Sequence, residues 1–290
     1  MGEHTVQLSV VIPFRDAGAT LTEAALAVTR QMQGHSVELV LADNGSRDES
    51  KSTARELAAT SSSVRVVHAT NAVGAAGARN AGAATAVGKV LAFTDADDIV
   101  LPGWVDAILG LGEAEDLFAS GPVLRFAEGA DVPRVQARPS DPKPMRHMRH
   151  LPYADGTNTV VAASLFRRAG GFDHQCTAGE DIDFSWRVQR LGAHLQFVPE
   201  LRVAARWKSG MWATLRQYFR YGYGDALLYR RYRRDGARRD ALLTLARAYG
   251  GIVLRLPLLF GHRQRNRWAH QAGRRAGRLA GSVRYRVLYP

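Results

Sequence analysis

The residues best suited to chemistry lie at the end of an apolar run, where Val90-Leu91-Ala92-Phe93-Thr94 leads into Asp95-Ala96-Asp97-Asp98. Clustered carboxylates repel one another, and folding alone gives little reason to accept them. In a strand, residues two apart face the same side, so Asp95 and Asp97 are expected to converge at the strand's exit. Converging carboxylates with no basic neighbour ask for a cation. Mg²⁺ or Mn²⁺ fits, because each takes one or two carboxylates and completes its shell with water and substrate phosphates. The competing reading is local: Asp97 or Asp98 caps a helix predicted near Pro102-Gly103-Trp104.

The elements that must position these groups alternate in type. Short apolar strands are expected over residues 8–12 (stopped by Pro13), 37–42, 64–68 and 89–94. Helices are expected between them: one opened by a Thr20-x-x-Glu23 capping box, one starting at Asp48, and an alanine-rich one over 75–86. Such alternation indicates an α/β fold with a mostly parallel sheet flanked by helices. Ligands in such sheets bind outside the carboxyl ends of the strands. Pro13-Phe14, Asp43-Asn44 and Asp95–Asp98 all fall at those ends.

Residues 127–152 carry five prolines and little periodicity, which reads as a lid-like loop. His147 and His150 within it have the spacing of a metal pair, without a further ligand cluster nearby. Gly179-Glu180-Asp181 then precedes an amphipathic helix over 182–191, with Gly192 as its stop. Two short strands follow, over 194–198 and 201–205.

The chain of 290 residues has a net charge of +12, distributed unevenly. Residues 201–290 hold 21 basic residues against Asp225, Asp235 and Asp240, whereas the preceding 200 hold 18 basic and 24 acidic. An acidic body of residues 1–205 and a basic helical extension of 206–290 suggest two jobs. Cys176 stands alone, so no intrachain disulfide forms, and Met1-Gly2-Glu3-His4 lacks a signal-peptide pattern; both fit a cytoplasmic protein.

Over residues 6–225 the chain resembles the family 2 glycosyltransferases. The resemblance rests on six motifs in the family's order: Val10-Val11-Ile12-Pro13-Phe14; Asp43-Asn44-Gly45-Ser46-x-Asp48; Asn71-x-x-Gly74 with Ala78-Arg79-Asn80-Ala81-Gly82; Asp95-Ala96-Asp97-Asp98; Gly171-Phe172-Asp173; and Gly179-Glu180-Asp181-Ile182-Asp183-Phe184 with Arg187 and Gly192. It implies a GT-A fold and an inverting transfer of sugar from a nucleotide diphosphate donor to an acceptor hydroxyl. Cell-envelope polysaccharide or glycolipid synthesis is the implied setting. Pro13 and Phe14 would wall the nucleotide pocket, and Asp43 would accept a hydrogen bond from the base. A carboxylate accepts from the imide N–H of uracil, thymine or guanine but not from cytosine, which favours UDP, dTDP or GDP. Arg79 would contact the base or diphosphate, Asp95 the ribose or metal-bound water, and Asp97 the metal. Asp181 would be the general base, strengthened by partial desolvation beside Glu180 and Asp183; capping the helix that follows is compatible with that role. Many relatives carry a further histidine ligand after the last two strands. Here Val203-Ala204-Ala205-Arg206-Trp207-Lys208 has none, so Asp97 and the diphosphate hold the ion, or Arg206 or Lys208 supplies charge instead.

In the extension, residues 241–260 are apolar but interrupted by Arg247 and Arg255, which argues against a membrane span. Arginines interleaved with leucines fit a helix on the anionic inner face of a membrane, near a lipid-linked, sugar or glycan acceptor. Two other functions compete: sugar nucleotidyl transfer, and nucleic-acid binding by the basic tail on a degenerate transferase scaffold. The first lacks its glycine-rich basic loop after the first strand, and the second leaves the strand-end carboxylates unexplained.

Overall fold

All seven residues of Leu8-Ser9-Val10-Val11-Ile12-Pro13-Phe14 are buried, which is the signature of a strand in the middle of a parallel sheet. The computed structural model describes residues 6–69, 74–127, 144–207, 210–254 and 262–290. These fall into two units. The first takes Met1–Met145, Pro152–His174 and Glu180–Arg206; the second takes Arg146–Leu151, Gln175–Gly179 and Trp207–Pro290.

The first unit opens with β1 (Leu8–Phe14), α1 (Gly18–Thr29), β2 (Val37–Asp43), α2 (Ser50–Thr60), β3 (Val64–His68), α3 (Gly74–Thr85) and β4 (Val90–Phe93). In chain order there follow β5 (Asp98–Val100), α4 (Trp104–Leu109), β6 (Phe118–Ser120), β7 (Val123–Ala127), β8 (Met145–Arg146), β9 (Pro152–Tyr153), β10 (Thr159–Ala162), α5 (Ala163–Arg168), α6 (Glu180–Arg190), β11 (Gln196–Phe197) and β12 (Val203–Trp207), of which only the last residues of β8 and β12 fall in the second unit. Seven strands form the main sheet in the order β11-β6-β10-β4-β1-β2-β3. The β4-β1-β2-β3 half is parallel, while β10 runs antiparallel to both β4 and β6. A smaller sheet, β5-β12-β7, lies beside it. The expected α/β architecture is therefore present.

Three local expectations are corrected. Pro13 does not end β1: the strand runs on through Phe14, with Pro13 opposite Ala42 and Phe14 opposite Asp43. On its other side β1 pairs with β4 only up to Val11, so the missing N–H of Pro13 breaks no ladder there. Thr20 does not open α1. That helix starts at Gly18 without a side-chain cap of its own, and the Gly18 amide donates to Asp48 Oδ2 at 3.0 Å. The first turn is thus satisfied from a loop thirty residues away. Finally, α4 is entered through Gly103, which has φ 85° and no side-chain cap, so neither Asp97 nor Asp98 caps it.

An aromatic cluster fixes the distance between β4 and α6. Phe93 packs edge-on to Phe172 at 5.1 Å and stacks on Phe166 at 5.3 Å, and Phe172 meets Phe184 at 4.6 Å between centroids. Asn80 on α3 holds the backbone of Phe172 from both sides, donating to its carbonyl at 2.7 Å and accepting from its amide at 2.9 Å. Gly171 has φ +66°, and a Cβ there would lie 2.7 Å from Asn80 Oδ1. Arg187 secures the same turn by donating to the Gly171 carbonyl at 2.7 Å while pairing with Asp183 at 2.8 Å. The Gly-Phe-Asp motif is thus the brace that sets α6 beside the end of β4.

The second unit contains α7 (Met211–Tyr232), α8 (Leu242–Leu254) and α9 (His262–Tyr285). α7 and α9 approach along a glycine seam. A Cβ at Gly273, Gly277 or Gly281 would fall 2.5, 2.0 or 2.7 Å from the carbonyl oxygens of Leu215, Phe219 and Tyr223. Buried Asp225 holds the polar centre, accepting from Arg274 Nε and Arg278 Nε at 2.9 Å each and bonding His147 Nε2 at 2.8 Å. His147 is therefore engaged by a carboxylate and not paired with His150 around a metal. No described helix is long and apolar enough to cross a membrane; residues 255–260 lie outside the description.

Candidate active site

β4 ends at Phe93, and Asp95–Asp98 form a turn closed by the Asp98 amide on the Asp95 carbonyl at 3.2 Å. Strand alternation therefore does not aim Asp95 and Asp97; the turn does. Both are partly exposed. Asp98 is buried at the start of β5, accepting from Thr157 Oγ1 at 2.5 Å and from the Arg206 amide at 3.1 Å. Burial, and then the charges of Asp95 and Asp97, push its pKa up to about 8. Asp95 is answered by Arg79, and the turn's carboxylate oxygens are hard donors of the kind Mg²⁺ or Mn²⁺ takes. That donor set fits the expected ion.

Arg79 joins this turn to α6. Its Nη2 donates to Asp95 Oδ1 at 2.5 Å and its Nη1 to Glu180 Oε1 at 3.1 Å, and its guanidinium lies 5.5 Å from the Phe172 ring centroid. The side chain is only 4% exposed, so the fork acts as a bridge between two carboxylates. Gly156 makes room for it, since a Cβ there would come within 3.2 Å of Nη2.

Asp181 sits in the first turn of α6, with Oδ1 accepting from the Ile182 amide at 2.8 Å and Oδ2 from the Gly156 amide at 3.2 Å. Its crowded position, followed by the charges of Glu180 and Asp155, pushes its pKa up to about 8, opposed by Ile182 N–H and Arg79. The side chain keeps partial contact with solvent. A carboxylate of that basicity is suited to proton abstraction near neutral pH.

Asp155 was not singled out by the sequence. Its pKa is raised by burial, with Asp95 adding to the rise and Arg125 and Arg79 opposing it. It also lines a cavity of about 190 Å³ with Arg125, Tyr153 and Phe197. Buried Asn158 anchors the segment, accepting from Trp104 Nε1 at 3.0 Å and donating to the Leu201 carbonyl at 2.7 Å. Asp155-Gly156 ahead of an apolar strand was the available signal, but it lies in a stretch without periodicity.

Pro13, Phe14 and Asp43 lie at the carboxyl ends of β1 and β2, all buried. Asp43 Oδ1 accepts from the Ser46 amide at 2.8 Å. Its Oδ2 is buried, accepts no hydrogen bond from any described residue, and lies 3.7 Å from His68 Nδ1. Such an oxygen is an acceptor in need of a donor. Of the alternatives to a histidine ligand, Arg206 is engaged by Glu23 and stacks 5.2 Å from the Phe126 centroid, whereas Lys208 lies outside the described residues.

The profile of glycosyl transferase family 2 matches residues 9–170, and that of glycosyl transferase family group 2 matches residues 142–272. The pre-mycofactocin glycosyltransferase of Mycobacterium tuberculosis is 26% identical over 205 residues, which cover 68% of this chain and 42% of the relative. The chain thus spans less than half the length of that relative. Among solved structures, the mannosyltransferase PcManGT from Pyrobaculum calidifontis, in complex with GDP-Man and Mn²⁺, superposes with a TM-score of 0.69 at 18% identity, covering 95% of this chain and 86% of that one. S. aureus TarS 1–349 in complex with UDP-GlcNAc gives 0.57 at 15% identity, covering 98% and 93%. These likenesses establish the GT-A glycosyltransferase fold. With its profile match covering more than half its length, the chain belongs to glycosyl transferase family 2.

Proposed function

We propose that the first unit, the catalytic domain, transfers a sugar with inversion from a UDP-, dTDP- or GDP-activated donor to an acceptor hydroxyl. The observation that carries this reading is the Asp95–Arg79–Glu180 bridge, which brings the acidic turn after β4 and the start of α6 into one site. Pro13 and Phe14 wall the base, and the buried Oδ2 of Asp43 accepts its imide N–H. Asp97, with Asp95, would hold Mg²⁺ or Mn²⁺; when bound, the ion offsets charge on the leaving diphosphate. The Pyrobaculum mannosyltransferase, solved in complex with GDP-Man and Mn²⁺, supports that assignment. Asp181 takes the proton of the acceptor hydroxyl, its carboxylate oriented by the Gly156 and Ile182 amides. The cavity beside Asp155 is the acceptor side. Because the base must be ionised and burial raises its pKa to about 8, turnover rises with pH toward that value and falls as acid protonates it.

The test is a thermal-shift panel of UDP, dTDP, GDP and CMP with Mg²⁺ or Mn²⁺. A nucleotide at a hundred times its dissociation constant stabilises by about 2.7 kcal/mol. An imide-bearing diphosphate should shift the transition and CMP should not; no shift with any, or a preference for CMP, overturns the reading.

Exposed Trp212, Leu243, Val253 and Leu254, set among arginines, support a second inference: the helical extension docks on an anionic membrane surface on the cytoplasmic side, near a lipid-linked acceptor. Liposome flotation should capture the protein. A salt-sensitive gel shift with nucleic acid and no flotation would reverse that reading.

A further inference from the structure

The second unit holds a cavity of about 270 Å³ whose walls are dominated by arginine: Arg146 and Arg149 from the 146–151 turn, Arg238 and Arg239 from the loop after α7, and Arg274 and Arg278 from α9. Its lining carboxylate, Asp240, and Asp225 behind the α9 arginines are already engaged. Asp225 serves Arg274, Arg278 and His147, and Asp240 serves Arg275 and Arg278. Arg146, Arg149, Arg238 and Arg239 pair with no carboxylate among the described residues. Four unneutralised guanidinium groups around one concavity repel one another, and folding gains nothing from gathering them.

The backbone is held in place to gather them. Met148 and Arg149 have φ 53° and 50°, a left-handed conformation that residues other than glycine, asparagine and aspartate rarely adopt. The turn is kept by the Arg238 amide on the Met148 carbonyl at 2.8 Å and the His150 amide on the His147 carbonyl at 2.9 Å. The first of these bonds also ties the Arg149 turn to the Arg238 loop, so the two unpaired pairs face the same space.

We infer that this cavity is a binding site for a phosphomonoester or diphosphate group. A single carboxylate would leave most of the charge unanswered, whereas a multiply charged phosphate matches several planar forks at once. The volume is below the roughly 300–1,000 Å³ of pockets for drug-sized ligands, which suits a headgroup-sized anion. The site uses none of the residues assigned to sugar transfer, and its test needs no donor or metal ion.

The full chain is titrated calorimetrically with inorganic pyrophosphate and with phosphate, in EDTA so that metal-dependent binding near Asp97 is silent. Saturable binding is expected, weakened about tenfold or more by Arg149→Ala with Arg238→Ala, as loss of two charge-assisted contacts implies. The control pair Arg233→Ala with Arg234→Ala, exposed and outside the cavity, should change it less than about twofold. Absence of saturable binding to either probe, or equal weakening in both pairs, overturns the site. Vesicles containing phosphatidic acid, matched in charge by phosphatidylserine vesicles, identify the source. A phosphatidic acid preference lost in the Arg149/Arg238 pair assigns the group to a lipid headgroup; pyrophosphate binding without that preference assigns it to a soluble phosphate.

Discussion

Replacing Arg79 by methionine removes the charge from the bridge while keeping an apolar stem over Phe172. Two contacts disappear, at 2.5 Å to Asp95 and 3.1 Å to Glu180. At an effective dielectric of about 20, such pairs are worth roughly 7 and 5 kcal/mol before desolvation. Burying a guanidinium that is only 4% exposed cancels much of this. Measured losses on breaking one side of a buried pair are about 3–5 kcal/mol, because the abandoned charges stay behind. Each kcal/mol shifts the midpoint of a unit of this size by about 2–4 °C, so the transition of the first unit should fall by roughly 6–20 °C. Calorimetry is the suitable assay, since the two units can unfold in separate steps. Arg79→Lys should lose less, keeping the charge but reaching one carboxylate. Arg79 also opposes the rise in the Asp181 pKa, so its removal should move the pH profile of turnover to more alkaline values. A midpoint within about 2 °C of the parent and an unmoved pH profile would refute the bridge.

Other outcomes follow from the second unit. Asp225→Asn leaves Arg274, Arg278 and His147 facing a neutral group, and should cost that unit about 3–5 kcal/mol at pH 7 by denaturant unfolding. Despite its burial, the Asp225 carboxyl is held well below the usual range by His147 and Arg274, so its contribution is complete above the ordinary carboxylate pKa and is lost as the pH falls further. The gap between variant and parent should therefore narrow in acid. Gly277→Val places a Cβ about 2.0 Å from the Phe219 carbonyl and must separate α7 from α9, at a cost of roughly 1–3 kcal/mol or more by thermal unfolding. Gly250→Ala on α8 meets nothing within 4 Å, and should be neutral or stabilising by up to about 1 kcal/mol.

The sheet was legible because its strands are short apolar runs, and β3 falls at the expected residues 64–68. The motif order was legible too, and Asn80, Gly171, Phe172 and Arg187 turn out to be the brace between β4 and α6. What could not be read was anything closed by distant contacts. The first turn of α1 is satisfied by Asp48, Arg79 reaches Glu180 across 101 positions, and Asn158, next to the Asp155 turn, is held by Trp104 and Leu201. Local periodicity carries no trace of such pairings. Strand alternation misled at Asp95 and Asp97 because the strand ends two residues before the acidic turn begins. The four-residue spacing of Gly273, Gly277 and Gly281 was visible in the sequence, but its meaning appears only with α7 lying against it.

Asp181→Asn tests the central claim most directly. The parent and the variant are incubated with UDP-glucose, dTDP-glucose or GDP-mannose and Mn²⁺, and release of nucleoside diphosphate is followed beside calorimetric titration of the same diphosphate. The account predicts a loss of about 10²–10⁴-fold in turnover, the range of a positioned general base, with diphosphate affinity changed less than about twofold. Turnover within a few-fold of the parent at unchanged affinity would contradict the assignment of Asp181 and the transfer chemistry built on it.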